Sequence, residues 1–379
     1  MPEGALRLSL PHIDEDAIEA VAAVLRGGHL VHGVQGEAFE VELEQWLGVK
    51  HALLVSSGTA ALHLALLALD IGAGDAVLVP DFTFPATANV VRLAGARPVL
   101  VDVDPSSYCM TAEAARATVE SWRGPERVRA ILPVHEFGCP APLAGLRALA
   151  REHGLELIED AACAIGARDG AVLVGTLGDI GCFSLHPRKT LTTGEGGILV
   201  TDDDALAARV RRLRSHGMQR SSGGIEFLEP GLNYRLTDFQ AALGRAQLPR
   251  LEDWIRSRRA LAACYFEALQ PLERAGWLSL PGNHAGHSWQ TFMVVLDRRF
   301  DRSAVVRALA GQGIETNLGA QCLSSLASYA GHVPAGRSPN ARRLFESGLA
   351  LPFCEQYGVS EVARVCAGLS GVLEDCVRV

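Results

Sequence analysis

Lysine is nearly missing from this chain: of its 35 basic residues, only Lys50 and Lys189 are lysines. Long apolar runs are missing too. None approaches the roughly 18 residues that would suggest a membrane span. The N-terminus, "MPEGALRLSLPHIDED", lacks a basic-then-apolar signal peptide, so the expected location is the cytoplasm. An excess of positive charge is also absent. A formal net charge of −8 speaks against sequence-independent binding to nucleic acid or anionic membrane, both of which want a basic face. The densest arginine group, "RVRRLRSHGMQR", has helical spacing and reads as a solvated helix face. Finally, no CxxC pair or Cys/His cluster of zinc-site type occurs. Nine cysteines are an odd number, and most lie in apolar segments, such as Cys182 in "IGCFSL" and Cys366 in "VARVCAGL". Their expected role is that of small buried hydrophobes, with no disulfide and no structural metal.

What is present is an ordinary globular composition, 48% hydrophobic and 21% charged over 379 residues, enough chain for two structural domains. Short apolar runs rich in β-branched residues alternate with longer amphipathic stretches. Seven read as strands: "HALLVSS", "DAVLVP", "RPVLVDVD", "RAILPVH", "LELIEDAA", "IGCFSLH" and "GGILVTDD". They are apolar nearly throughout, as expected when helices cover both faces of a sheet. The alternation predicts an α/β fold with a mostly parallel seven-stranded sheet. The closeness of the last strands predicts some antiparallel pairing. From about Asp203 the pattern turns helical, and after "GWLSLPGNHAGHSWQTFMVVLD" it changes again. Residues 1–250 are therefore expected to form a large domain with an N-terminal helical segment, and residues 251–379 a smaller α/β domain.

In open α/β sheets, ligands bind beyond the carboxyl ends of the strands, so those positions carry the chemistry. Lys189 lies in "LHPRKTLTTGEGG", directly beside Arg188. A chain that writes arginine elsewhere but lysine here suggests a use for an amine that can lose its proton, which guanidinium cannot readily do. The bland alternative is a chance survivor on a solvated loop. Ser56-Ser57-Gly58-Thr59 follows the first strand and opens a helix, where free N–H groups and hydroxyls can hold a phosphate. An ordinary Ser/Thr helix cap is the alternative. No nucleotide fingerprint is present. Asp160 ends its apolar strand, where a buried carboxylate must find a partner: either a helix start or a protonated ring nitrogen. Ser184 and His186 flank the end of "IGCFSLH". A phosphate cradle, an acidic strand end and a lone lysine together specify pyridoxal phosphate, PLP.

With these residues in place, the chain resembles the DegT/StrS-type sugar aminotransferases of the aspartate-aminotransferase fold (PLP fold type I). The resemblance runs over essentially the whole chain. It is carried by "SSGTAALHLAL", "DFTFPATANVVRLAGARPVLVDVD", "PVHEFGCP", "IEDAACAIGA", "GDIGCFSLHPRKTLTTGEGGILVTDD" and "GLNYRLTDFQAALGRAQL". It implies that Lys189 is the Schiff-base lysine and proton shuttle, and that Asp160 keeps the pyridine nitrogen protonated. Ser184, Gly58 and Thr59 then hold the phosphate, and Phe84 lies against the ring. Without the resemblance, Phe84 would read as a core phenylalanine. Asn233 is implied to reach the phosphate of a neighbouring subunit, hence an obligate homodimer with shared active sites. Read by itself it is a turn residue.

Three departures stand out. Cys163 occupies a position near the cofactor's phenolic oxygen where many relatives carry glutamine. Glu136 and Cys139 replace a commoner leucine and glutamine. The tract "GIETNLGAQCLSSLASYAGHVP" lacks the "HY.P.H" pattern of many nucleotide-sugar members. The leading expectation is an aminotransferase taking an amino group from L-glutamate or L-glutamine. Pyridoxamine phosphate is the intermediate cofactor form, and the acceptor a keto-sugar, nucleotide-linked keto-sugar or keto-cyclitol. Its products would feed surface polysaccharides or secondary metabolites. A sugar dehydratase is the second reading, against which the retained Lys189 speaks. A non-catalytic regulatory protein on the same fold is the third, and retention of both Lys189 and Asp160 speaks against it.

Overall fold

The computed structural model describes residues 4–221, 223–329 and 338–378. Each of the seven apolar runs forms a strand of one sheet: β1 His51–Val55, β2 Asp75–Pro80, β3 Arg97–Val101, β4 Arg127–Ile131, β5 Glu156–Asp160, β6 Ile180–Ser184 and β7 Gly197–Thr201. Their spatial order is β1-β7-β6-β5-β4-β2-β3. β7 runs antiparallel to both neighbours, and every other pair is parallel. Nine helices of the first two-thirds of the chain matter here: α1 Glu15–Gly27, α2 Val34–Leu47, α3 Gly58–Ala68, α4 Ala86–Leu93, α5 Ala112–Ser121, α6 Leu143–His153, α7 Asp204–Leu213, α8 Asp238–Gln247 and α9 Leu251–Arg274.

Why the strands lack polar alternation is visible in how they divide. Side chains alternate across a strand, and here both faces are covered. Ala52, Leu54, Ala76, Leu78, Leu157, Ile198 and Val200 enter one core with Phe39 and Leu43 of α2 and Leu146 of α6. The residues between them, Leu53, Val55, Val77, Val79, Ile158 and Leu199, enter a second core with α3, α4 and α7. Helix α3 is apolar almost all round because it lies against β6 and β7 while touching α4 and α7.

Helix ends are closed from elsewhere in the sequence. Gly33 begins α2 without a side chain to cap it. The buried carboxylate of Asp238, first residue of α8, accepts the N–H groups of Gly33 and Gly36 at 2.8 and 2.9 Å instead, where the helix dipole favours negative charge. Helix α1 packs on α8.

The C-terminal part builds a three-stranded antiparallel sheet from Leu278–Ser279, Phe292–Leu296 and Gly348–Leu351, joined by α10 Arg302–Gly311, α11 Pro339–Ser347 and α12 Val359–Arg378. Its core includes Leu6 from the chain start. Helix α9 serves both parts: Leu251 and Ile255 lie in the first core, Leu261, Tyr265 and Leu269 in the C-terminal one. Among the described residues, no helix is long and apolar enough to cross a membrane.

One buried ion pair fastens the edge of the large sheet. Glu40 of α2 accepts from Arg214, just past α7, and from the Leu54 N–H at 2.9 Å, while Arg214 also donates to the Leu54 carbonyl at 2.7 Å. Burial pushes the Glu40 carboxyl up, but Arg214 and His32 outweigh it and hold it down at about 2, from an ordinary 4.5. A depressed folded-state value adds stability above pH 4.5, and that stability is lost as pH falls toward 2. Glu40→Gln leaves Arg214 without its counter-charge and should cost about 3–5 kcal/mol near neutrality. Urea unfolding as a function of pH checks this: the variant should also show a flatter acid limb than the wild type.

Candidate active site

Strand register brings the sequence-distant candidates together. Val55, Gly197 and Ser184 stand side by side across β1, β7 and β6, because antiparallel β7 begins at the carboxyl ends of its neighbours. Their approach leaves no room for side chains. A Cβ on Gly58 would lie 2.9 Å from the Ser184 Cβ, and one on Gly197 2.3 Å from the Ser57 carbonyl oxygen. Ser57 is the helix cap that the sequence suggested, its hydroxyl accepting from Ala60 N–H at 3.0 Å. That cap does not exhaust the helix start. Among the described residues, the N–H groups of Gly58 and Thr59 have no acceptor, as expected of a first turn. With the half-buried Ser184 hydroxyl beside them, they offer donors that could hold an anion.

On the next strand beyond β6, Asp160 ends β5 almost fully buried. Its Oδ1 accepts from Ala162 N–H at 3.1 Å and its Oδ2 from the Thr87 hydroxyl at 2.9 Å. Burial pushes this carboxyl up. The two hydrogen bonds and the nearby charge of Lys189 pull it back, and the net direction is upward. Such a group favours a further cationic partner. Lys189 sits in the turn after β6, and its Nζ donates to the Cys163 Sγ at 3.0 Å. Among the described residues, no carboxylate forms an ion pair with it. Burial pushes the Cys163 thiol up, so the thiol stays neutral beside the amine. Lys50, by contrast, precedes β1 at the amino end of the sheet.

The other expected residues are placed as follows. Phe84 is 71% exposed, in the turn leading to α4, so the core reading of this ring fails. Asn233 is exposed, bridged through its backbone to Ser215 and next to Tyr234, whose carbonyl accepts Ser56 N–H at 2.8 Å. Of the acceptor-side tract 313–334, residues 330–334 lie outside the described residues.

Four contributors escaped sequence reasoning. His135 accepts Ala141 N–H on Nδ1 at 3.0 Å, which places its proton on Nε2, facing Glu159 at 2.9 Å. Glu159 is fully buried. Burial raises its carboxyl, but His135 and the N–H groups of Gly175, Leu177 and Gly178 at 2.6–2.7 Å bring it below its ordinary value. This pair anchors the turn after β4. Gln290, in the bend just before the strand Phe292–Leu296 of the C-terminal sheet, donates to the Arg188 carbonyl at 2.8 Å and so steadies the lysine turn. Thr87 was hidden inside a helical pattern. The one available signal was "IEDAA": neighbouring acids on a strand must face opposite sides, so both could not serve one site.

The donor set fits pyridoxal phosphate. It offers an amine free of any carboxylate, a buried carboxylate whose burial calls for a cation, and a crowded helix start with spare N–H groups. Comparison with known proteins agrees. The model of the DegT/DnrJ/EryC1/StrS aminotransferase family matches residues 11–370. A crystal structure of a DegT DnrJ EryC1 StrS aminotransferase from Brucella abortus is 33% identical, with a TM-score of 0.86 and coverage of 94% of this chain and 95% of that one. The aminotransferase TlmJ from Streptoalloteichus hindustanus is 32% identical at TM-score 0.90, covering 98% and 100%. DesV of S. venezuelae, solved in complex with a ketimine intermediate, is 34% identical at TM-score 0.85, covering 98% and 100%. The chain therefore belongs to the DegT/DnrJ/EryC1/StrS aminotransferase family, whose members are PLP-dependent enzymes of fold type I.

Proposed function

We propose that this aminotransferase moves an amino group from L-glutamate or L-glutamine to a keto-sugar, a nucleotide-linked keto-sugar or a keto-cyclitol, in polysaccharide or secondary-metabolite biosynthesis. It does so in the cytoplasm, as a homodimer with shared sites. The observation that carries the reading is the Lys189 amine at the carboxyl end of the sheet, held by a neutral thiol at 3.0 Å beside a buried carboxylate. Family membership supports a sugar-type acceptor.

When bound, PLP supplies an electron sink for the carbon that gains or loses the amino group. Gly58, Thr59 and Ser184 would hold its phosphate, Phe84 would cover its ring, and Cys163 would lie near its phenolic oxygen. Asp160 keeps a proton on the ring nitrogen, where an opposite charge stabilises the protonated form. Lys189 supplies the attaching amine and then moves a proton at its Nζ. The Cys163 thiol, a weak hydrogen-bonding group, positions the amine.

Lys189→Ala and Lys189→Arg should both lose the visible absorbance of lysine-bound cofactor and all turnover, because guanidinium stays protonated. Asp160→Asn should keep the cofactor but lose on the order of a hundredfold in rate. Near-normal rates would make Asp160 a mere helix cap.

The exposed Asn233 side chain supports service to a neighbouring subunit. Asn233→Asp sets a carboxylate against a phosphate and should weaken cofactor retention. When it is co-expressed with Lys189→Ala, the isolated mixed dimer carries both defects in one site and none in the other. It should regain up to half of wild-type activity. No recovery, with the mixed dimer verified by native mass spectrometry, would refute the shared site.

A further inference from the structure

Gln290 is 7% exposed although it stands in a bend, and its side chain is directed at a single peptide unit. Its Nε2 donates to the Arg188 carbonyl at 2.8 Å, and its Oε1 accepts the Thr291 hydroxyl at 2.9 Å. A carbonyl can only accept, so this pairing settles which end of the amide faces the lysine turn. The Arg188 carbonyl belongs to the peptide unit that leads into Lys189. The N–H of the same unit, that of Lys189, donates to the His186 carbonyl at 2.8 Å. Because the unit is planar, holding both its oxygen and its hydrogen fixes the direction in which Lys189 leaves the chain. The hydrogen is held from inside the turn. The oxygen is held from outside it, and among the described residues Gln290 is its one donor.

The backbone behind this amide is held at many points. Gln290 N–H donates to the Phe137 carbonyl at 2.8 Å and Ser288 N–H to the Gly138 carbonyl at 3.0 Å. The two segments lie so close that a Cβ on Gly138 would be 2.4 Å from the Ser288 Oγ. From α9, the buried Arg258 guanidinium donates to the Trp289 and Gln290 carbonyls at 3.1 and 3.3 Å, and it is ion-paired with Glu355 at 2.7 Å. Trp289 itself is left-handed, at φ 56°, a costly conformation for a bulky residue. Its N–H donates to His287 Nδ1 at 2.9 Å, and the two rings stack 3.6 Å apart. Strain of this kind persists where the surroundings over-determine it, and it gathers at functional sites. We propose that Gln290 is a positioning residue for transamination: its amide pins the Arg188–Lys189 peptide unit, so that the C-terminal part of the chain sets where the Lys189 amine stands. An amine that must both attach a group and move a proton has to return to one place each time. A misplacement of about 1 Å can cost on the order of a hundredfold in rate.

The inference rests on the role given to Lys189 above, and two measurements separate the two. Gln290→Met keeps the length of the side chain but donates nothing. In full-length holoenzyme, the discharge of lysine-bound cofactor by L-glutamate or L-glutamine is followed by visible absorbance. The single-turnover rate should fall about fivefold to tenfold, as expected on losing one hydrogen bond, with the half-saturating donor concentration nearly unchanged. In the cofactor-free full chain, the two lysines are acetylated in competition and quantified by peptide mass spectrometry, Lys50 at the amino end of the sheet serving as internal reference. The Lys189-to-Lys50 ratio should rise about fivefold, because a turn that has lost a hydrogen bond opens more often. A residue that merely supported the fold would lower the urea midpoint and leave this native-state ratio alone. Thr291→Val keeps every backbone contact and removes the bond that orients the amide, so it should move both readouts the same way by less. An unchanged ratio, or an unchanged discharge rate, overturns the proposal. If wild type shows no lysine-dependent band, or neither donor discharges it, the reading of Lys189 and its donor fails instead, and the acetylation ratio alone decides on Gln290.

Discussion

A negative charge buried at the end of a central strand organises this molecule's chemistry. Asp160 ends a strand flanked by β4 and β6 and is almost fully buried, and an unpaired carboxylate there would cost several kcal/mol. The surroundings answer with the Thr87 hydroxyl, the Ala162 N–H and the nearby Lys189. These partners leave the carboxyl still raised by burial. The site is thus stable enough to fold but remains short of positive charge. On the proposed function, a protonated pyridine nitrogen would supply what is missing, and cofactor binding would answer the same electrostatic need that shapes the strand end.

Topology explains why residues more than a hundred positions apart meet there. An antiparallel β7 between β1 and β6 puts Gly197, Val55 and Ser184 in one row, and glycine at 58 and 197 lets the backbones close. The lysine turn is then held from the C-terminal part through Gln290. The C-terminal sheet also reaches the site at Phe137, whose ring shares a core with Met293 and Ala350. The C-terminal sheet and the lysine turn are thereby connected, through hydrogen bonds as well as side-chain packing.

The sheet was legible because burial on both faces leaves strands without polar alternation, and such runs stand out against helical spacing. Asp160, Lys189 and the Ser57–Gly58 helix start were legible because each is chemically odd in its place: an acid ending an apolar strand, a lysine in an arginine-writing chain, a glycine entering a helix. Thr87 and His135 gave no such signal. Hydroxyls within a helix and histidines beside strands are common, and only three-dimensional pairing with Asp160 and Glu159 gives them meaning. Phe84 shows the reverse limit. Its identity is plain, but only the structure places the ring at the surface rather than in the core.

The central claim is that Lys189 is the amine that carries the cofactor. Its most direct test is reductive trapping. The full-length protein is incubated with pyridoxal phosphate, reduced with borohydride and mapped by peptide mass spectrometry. With two lysines in the chain, the expected result is a single pyridoxyl-phosphate adduct on the peptide containing Lys189, lost when L-glutamate is added before reduction. An adduct on Lys50, or none on Lys189, would contradict the account.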